Sequence, residues 1–335
     1  MKLLRVITFP FVPVYYLVTA IRNKLYDLGI KKSTSYKFPI ICVGNLSVGG
    51  TGKTPMIEYL INLLKEDYRL ATLSRGYKRA TKGFRLANKN ETASSLGDEP
   101  FQFYNKFGKD VLVAVDANRV NGIAKLTGLP RKPDIILLDD AYQHRKVKAG
   151  FNILLSTYNN LYTKDFVLPA GNLREPRSGA NRADVIVVTK CPFNLNEVEK
   201  QAILKQIKPK AYQNVFFSTI KYAEEVQSAN GKINIKDLQD FTLVTGIANP
   251  DPLVEFLKSK SLSFEHLSFK DHHDFGKKDI EILKKKKLII TTEKDFVRLK
   301  DYESLKLKLF YLPIEVSVDN SDKFDKLIEG FVNRY

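Results

Sequence analysis

Short apolar runs alternate with segments of helical period along most of the chain. Residues 40–43, 70–73, 111–115, 135–138, 152–155 and 185–188 are rich in β-branched and aliphatic side chains and show no strict alternation. That is the pattern of parallel strands covered on both faces. Between them, Met56, Ile57, Leu60, Ile61 and Leu64 recur at helical spacing, and residues 99–107 and 197–207 carry further helical patterns. The order predicts a doubly wound, mostly parallel α/β sheet whose ligands gather at the carboxyl ends of the strands. A second α/β series starts at Phe241, with strands at 241–246, 263–267, 288–291 and 309–316 and helices at 252–260, 278–285 and from Asp322 onward. We therefore expect an N-terminal segment over 1–30, a core domain over 31–225 and a smaller C-terminal α/β domain over 226–335, with a return of the last helix to the core left open.

The first 30 residues break the pattern. Sixteen residues, 6–21, carry no charge and are bracketed by Lys2 and Arg5 before and Arg22 and Lys24 after. The run is shorter than the ~20 apolar residues a spanning helix needs, Pro10 and Pro13 interrupt it, and no small-residue cleavage site follows. Two readings stand side by side: an interfacial membrane anchor with cationic flanks, and a buried N-terminal helix covering the sheet.

Composition adds direction rather than identity. Hydrophobic residues at 44% and charged residues at 27% exclude a disordered chain. A surplus of 54 Lys and Arg over 37 Asp and Glu leaves a net charge of +17, which favours anionic partners. No recognition-helix, RNP-like or zinc-finger pattern accompanies that charge, so nucleic acid is not the expected partner. The two cysteines, Cys42 and Cys191, exclude a disulfide framework and fit a reducing cytosolic compartment.

Residues 47–54, SVGGTGKT, sit between the first core strand and the first core helix. In that context Ser47, Val48, Gly49, Gly50, Thr51, Gly52, Lys53 and Thr54 read as a phosphate-binding P-loop, although Ser47 stands where the consensus has glycine. Backbone N–H groups close around phosphate, Lys53 neutralises it, and the Thr54 hydroxyl is a Mg²⁺ ligand. Pro55 is tolerated in the first helical turn, where its missing N–H has no partner to lose. The run IILLDD at 135–140 ends a predicted strand in acid, the Walker-B arrangement, which makes Asp139 and Asp140 candidate Mg²⁺ ligands. Gln143, His144 and Arg145 follow into the same crevice. For the acid/base step there are two candidates. Asp98 precedes a helix with Pro100 in its first turn and reads as an N-cap or as a base, and DHHD at 271–274 reads as a polar loop or as acid/base machinery rather than a zinc site.

Together these residues resemble the bacterial tetraacyldisaccharide 4'-kinase family. The similarity runs in order through VGNLSVGGTGKTP at 43–55, LSRGYKR at 73–79, GDEP at 97–100, LDDAYQHR at 138–145, LPAGNLREP at 168–176, VVTK at 187–190 and DHHDF at 271–275. Ser47 belongs to that family pattern. The resemblance implies transfer of the γ-phosphate of ATP, with Mg²⁺, to the 4' hydroxyl of a lipid-linked glucosamine disaccharide 1-phosphate. It implies a location at the cytoplasmic face of the inner membrane, against an acidic lipid surface, and no obligatory protein partner. Carried over residue by residue, it makes Asp98 the base and His272 its partner, with Lys53 on the phosphates and Thr54, Asp139 and Asp140 on Mg²⁺. Tyr77, Arg119, Gln143, Asn172 and Glu175 match motif positions with either a cleft-lining or a structural role. A P-loop GTPase or ATPase switch or metallochaperone, which hydrolyses nucleotide without a lipid acceptor, is the competing reading.

Overall fold

A computed structural model describes residues 8–228, 230–271 and 273–335. The apolar runs form a nine-stranded sheet in the order Ile314–Val318, Asn214–Tyr222, Val185–Thr189, Phe151–Thr157, Ile40–Asn45, Ile135–Asp139, Leu70–Ser74, Val111–Val115 and Arg85–Leu86. Pairing is parallel except at the two edge strands. Successive residues of the central strand serve opposite faces, as the pleat requires. Ile40 and Cys42 join Ile123, Leu126, Ile203 and Ile207 in one core, while Ile41 and Val43 join Met56, Leu60, Leu64 and Phe324 in the other. Helices Arg119–Thr127 and Glu197–Ile207 thus cover one face, and helices Lys53–Leu64 and Ser321–Val332 the other.

The second sheet has six strands, in the order Gly231–Asn234, Glu225–Ser228, Leu309–Leu312, Ile289–Thr292, Phe241–Thr245 and Phe264–Ser268. The segment expected as one strand at 309–316 is two. Pro313 has no N–H to give a ladder, and there the chain leaves the second sheet, so that Ile314–Val318 pairs antiparallel with Asn214–Tyr222 in the first. Ala223, where the chain first passes between the sheets, donates its N–H to the Pro313 carbonyl at 3.0 Å. The last helix, Ser321–Val332, packs Phe324 between Tyr59 and Phe216 at centroid distances of 5.7 and 5.2 Å.

The N-terminal segment does not cover the sheet as a buried helix. Pro10 lies in a 3₁₀ turn, Phe9–Phe11, and Pro13 in the first turn of helix Val12–Asp27, so the prolines open the helix rather than interrupt it. Phe11, Val14, Leu17 and Val18 are exposed by 58–63%, and Asn23 is the helix's one buried residue. Among the described residues no helix is long and apolar enough to cross a membrane.

A charged triad joins the two sheets behind the P-loop. Lys106 Nζ lies 2.6 Å from Glu58 of the P-loop helix and 3.2 Å from Glu293, which begins helix Glu293–Leu299 after a strand of the second sheet. Burial and then the charge of Glu58 push the Glu293 carboxyl up to about 7. Because this folded value lies above the ordinary 4.5, the native state holds the extra proton between those limits, and stability falls as pH rises from 4.5 to about 7. Glu293→Gln should flatten that slope by about 1–3 kcal/mol, measured as urea unfolding free energies at pH 5 and pH 8.

Candidate active site

The carboxyl end of strand Ile40–Asn45 runs through Leu46 into the Gly-rich loop and then into helix Lys53–Leu64. Gly49 and Gly52 have φ of +109° and +86°, backbone that side chains disfavour, and Gly52 caps the helix. The loop therefore presents a helix N-terminus and its backbone donors to solvent, an anion site by construction. Two segments brace it. Thr189 Oγ1 donates to the Thr51 carbonyl at 2.8 Å. On the other side Val48 N–H donates to the Asn172 carbonyl at 2.8 Å and Arg174 N–H to the Leu46 carbonyl at 2.7 Å, a short antiparallel bridge. The two motifs VVTK and LPAGNLREP are thus the walls of the P-loop. Lys190 Nζ comes within 3.9 Å of where a Cβ on Gly50 would lie.

Asp139 ends strand Ile135–Asp139 in register with Val43 and is buried, and Asp140 follows with a left-handed φ of +48°. The two carboxylates differ in kind. Burial would raise Asp140, but Lys53 at 3.7 Å and Arg174 at 3.0 Å outweigh it and hold the group below the usual carboxylate range. Asp139 is raised to about 6, first by burial and then by its charged neighbour Asp140, with only the Ser74 hydroxyl at 3.1 Å as a hydrogen-bond donor. Its Oδ1 is buried without a hydrogen-bond partner. An orphaned carboxylate oxygen at the strand end next to Asp140 is a hard-oxygen donor that fits Mg²⁺, which takes one or two carboxylates and completes its shell with phosphate and water. Among the described residues no group of three or more His, Cys, Asp or Glu gathers, which is the set a zinc site would need.

Asp98 opens helix Asp98–Phe107 but is not its N-cap. Gly97 holds that position, and the Asp98 carboxylate is bonded to the Arg298 guanidinium. Arg298 also reaches Asp295 at 3.5 Å and the His273 carbonyl at 3.5 Å, so one side chain ties Asp98 to the DHHD loop. His273 is occupied with Asp279, 3.0 Å away, and stacks on Phe269. His272 lies outside the described residues. Glu99, beside Asp98, is among the charges that raise Asp139, so this helix start lies within electrostatic reach of the Walker-B carboxylates.

The motif residues with open roles divide. Arg119 is buried and donates to the carbonyls of Asp116 and Ala117 at 3.1 and 3.3 Å, with Asp139 and Asp140 at 3.4 and 3.5 Å. Gln143 donates to the Asn45 carbonyl at 2.8 Å and to Glu175 at 3.0 Å, and Glu175 also receives Arg182 at 2.7 Å. Arg119 and Glu175 are thus buried among polar contacts, with Gln143 half-buried between the Asn45 carbonyl and Glu175. Asn172 bonds Asp165 at 2.9 Å beside the P-loop, and Tyr77 is 60% exposed. Arg174 and Arg298 were not among the residues expected from sequence. Arg174 stood inside a recognised motif, whereas Arg298 carried no local signal.

Residues 4–333 match the family described as Tetraacyldisaccharide-1-P 4'-kinase. The chain belongs to that family. The Tetraacyldisaccharide 4'-kinase of Flavobacterium johnsoniae is 54% identical over 99% of this chain and 98% of its own length, and that of Bacteroides thetaiotaomicron is 43% identical over 97% and 92%. Among solved structures, LpxK from Aquifex aeolicus in complex with ATP superposes with a TM-score of 0.78 at 30% identity, covering 98% of this chain and 99% of that one. Membership in the 4'-kinase family does not favour the nucleotide-switch or metallochaperone reading.

The 4'-kinase motif GDEP has a steric basis. Gly97 has φ of +96°, and a Cβ on it would lie 3.1 Å from the Tyr77 carbonyl and 3.3 Å from Gly76. Gly97→Ala should cost about 1–3 kcal/mol in strain and displace Asp98, lowering phosphotransfer. Gly83→Ala, at φ of +71° with nothing within 4 Å of its Cβ, should keep full turnover. Unfolding curves and turnover measured on both variants separate strain from displacement.

Proposed function

We propose that the protein transfers the γ-phosphate of ATP to the 4' hydroxyl of a tetraacylated glucosamine disaccharide 1-phosphate, a step of lipid A biosynthesis, at the cytoplasmic face of the inner membrane. Family membership over nearly the whole chain carries the activity. The P-loop with Lys53 3.7 Å from Asp140, and the orphaned Oδ1 of Asp139 at the same strand end, support the assignment of roles.

The P-loop, residues 47–54, receives the nucleotide phosphates on its backbone N–H groups, and Lys53 neutralises them. Thr54 and the Asp139/Asp140 pair would hold Mg²⁺, which when bound would supply charge neutralisation for the phosphates. Asp98, ion-paired with the Arg298 guanidinium, takes the proton of the sugar hydroxyl. As the O4'–phosphorus bond forms, the bond from the γ-phosphorus to the β,γ-bridging oxygen breaks and ADP leaves with that electron pair. His272 keeps the partner role that the family resemblance gives it. Asp98→Asn should lower kcat about 10²–10⁴-fold with the KM for ATP close to the parent's. Turnover within two-fold of the parent, followed as labelled γ-phosphate in lipid disaccharide, would remove Asp98 from the chemistry.

The acceptor is presented by lipid, and the outer face of helix Val12–Asp27 meets it. Phe9, Phe11, Val14, Leu17, Val18 and Ile21 are at least 50% exposed, with Phe166 continuing the patch beside Phe9 at 6.3 Å. Lys24 projects from the same helix and the chain carries +17, as an anionic surface requires. Each aliphatic side chain buried in lipid is worth about 1.5–3 kcal/mol. The Leu17→Asp, Val18→Asp double variant should therefore float with anionic phosphatidylglycerol vesicles at least about ten-fold less well than the parent. Undiminished flotation would refute the helix as the lipid contact.

A further inference from the structure

Helix Val12–Asp27 is inverted relative to an ordinary surface helix. Val14, Tyr16, Leu17, Val18 and Ile21 point outward, and beyond Val12 and the Tyr15 ring the side it turns to the protein is largely polar. Four residues on that inner side reach one neighbourhood. The Tyr15 hydroxyl donates to the Arg174 carbonyl at 2.9 Å, Arg22 to the Gln143 carbonyl at 2.7 Å, Asn23 to the Glu175 carboxylate, and Asp27 receives Arg145 at 2.7 Å. Their spacing of seven, eight and twelve residues from Tyr15 puts them along one stripe.

A helix serving only as an anchor has no use for that stripe. An inward leucine at 23 would bury apolar area at no polar cost, whereas burying an amide costs free energy unless it is bonded. Asn23 carries part of that cost openly, because its Oδ1 is buried without a hydrogen-bond partner. Its Nδ2 is spent on Glu175, which is 1% exposed and collects Gln143 and Arg182 as well. The residue before Glu175 is the one that grips Asp140. Arg174 is fixed at both ends of its backbone, by the Leu46 carbonyl through its N–H and by Tyr15 through its own carbonyl, and its guanidinium lies 3.0 Å from Asp140.

We propose that the N-terminal helix is part of the phosphate site's framework, with Asn23 and Tyr15 as positioning residues that hold the 174–175 segment where Arg174 can fix Asp140. The inference rests on the proposed role of Asp140 at the nucleotide phosphates. One helix then meets lipid on its outer side and sets the Walker-B carboxylate from its inner side, so that seating on the membrane and readiness for phosphate transfer share a single element.

Kinetics and vesicle flotation on the full chain test this. Asn23→Ala, which removes a hydrogen bond to a charged group, should lower kcat about ten-fold, and Tyr15→Phe, which keeps the ring and loses only the hydroxyl, about three-fold. Flotation of both with phosphatidylglycerol vesicles should stay within two-fold of the parent, because neither residue faces lipid. Arg174→Ala should lower kcat more than either, and adding Asn23→Ala to it should cost nothing further, since the two act through one contact. Multiplying losses in the double variant would overturn the proposal, as would parent-like kcat in folded Tyr15→Phe and Asn23→Ala proteins. If Asn23→Ala fails to fold, Tyr15→Phe and its combination with Arg174→Ala test the same link. If Arg174→Ala itself keeps full kcat, the assignment of Asp140 falls and the proposal with it. If Arg174→Ala is impaired while Asn23→Ala and Tyr15→Phe are not, the positioning role alone falls.

Discussion

Two adjacent carboxylates at the buried end of a strand repel each other and resist desolvation, and the site is built around that constraint. Asp140 can carry its charge there only because Lys53 and Arg174 stand beside it. Asp139 feels Lys53 as well but has no arginine bonded to it, and burial with the charge of Asp140 pushes it up instead. The two cations come from distant parts of the chain. Lys53 begins the helix that follows the P-loop, and Arg174 comes from a segment bridged to the loop's entry. Satisfying one charge thus closes a ring of strand end, P-loop and strap, and it fixes the spacing of groups that must meet phosphate.

The same logic holds the second sheet in place. Arg298 reaches across from helix Glu293–Leu299 to Asp98, and Lys106 is shared between Glu58 and Glu293. The two contacts are about two helical turns apart on helix Asp98–Phe107, so this one helix carries the candidate base at its start and the cation of the triad near its end. Buried ion pairs are weak sources of net stability but strong determinants of geometry, since breaking one partner leaves an uncompensated charge. These two ionic contacts work beside an apolar one, in which Val297 packs with Leu96, Phe101 and Val115, and both begin or end at elements next to the P-loop. A displacement of the second sheet is therefore felt at Asp98 and at the P-loop helix together.

What could be read from the sequence follows from how local each signal is. The strand at 111–115 and the helix at 197–207 match their observed bounds because burial on both faces and helical period are written in consecutive residues. The P-loop and IILLDD were legible for the same reason. The break at Pro313 was missed because a single apolar run served two sheets, and only the proline marked the exchange. The roles of Arg119, Gln143 and Glu175 were not legible at all. A polar residue in a functional motif looks the same whether it faces a cleft or supports the backbone beneath, and only the buried guanidinium of Arg119 under the carbonyls of Asp139 and Asp140 distinguishes the two. Arg298 had no signal, since a contact 200 residues apart leaves none in either neighbourhood.

The N-terminal segment shows why periodicity alone misleads at a lipid boundary. An apolar face normally identifies the side of a helix that meets the core, which is the reading of a buried helix that stood beside the interfacial anchor. The chain does the opposite: the core side of Val12–Asp27 is marked by a tyrosine hydroxyl, an arginine, an asparagine and an aspartate, each bonded, and the apolar side is left exposed. Such a helix buries little apolar surface against its own protein beyond Val12 and Tyr15, so much of its attachment comes from polar contacts of fixed geometry. Those contacts end on residues 143, 145, 174 and 175, in the two motifs that surround Asp140. The segment with the least conventional packing is therefore coupled by construction to the part of the site whose electrostatics are most demanding.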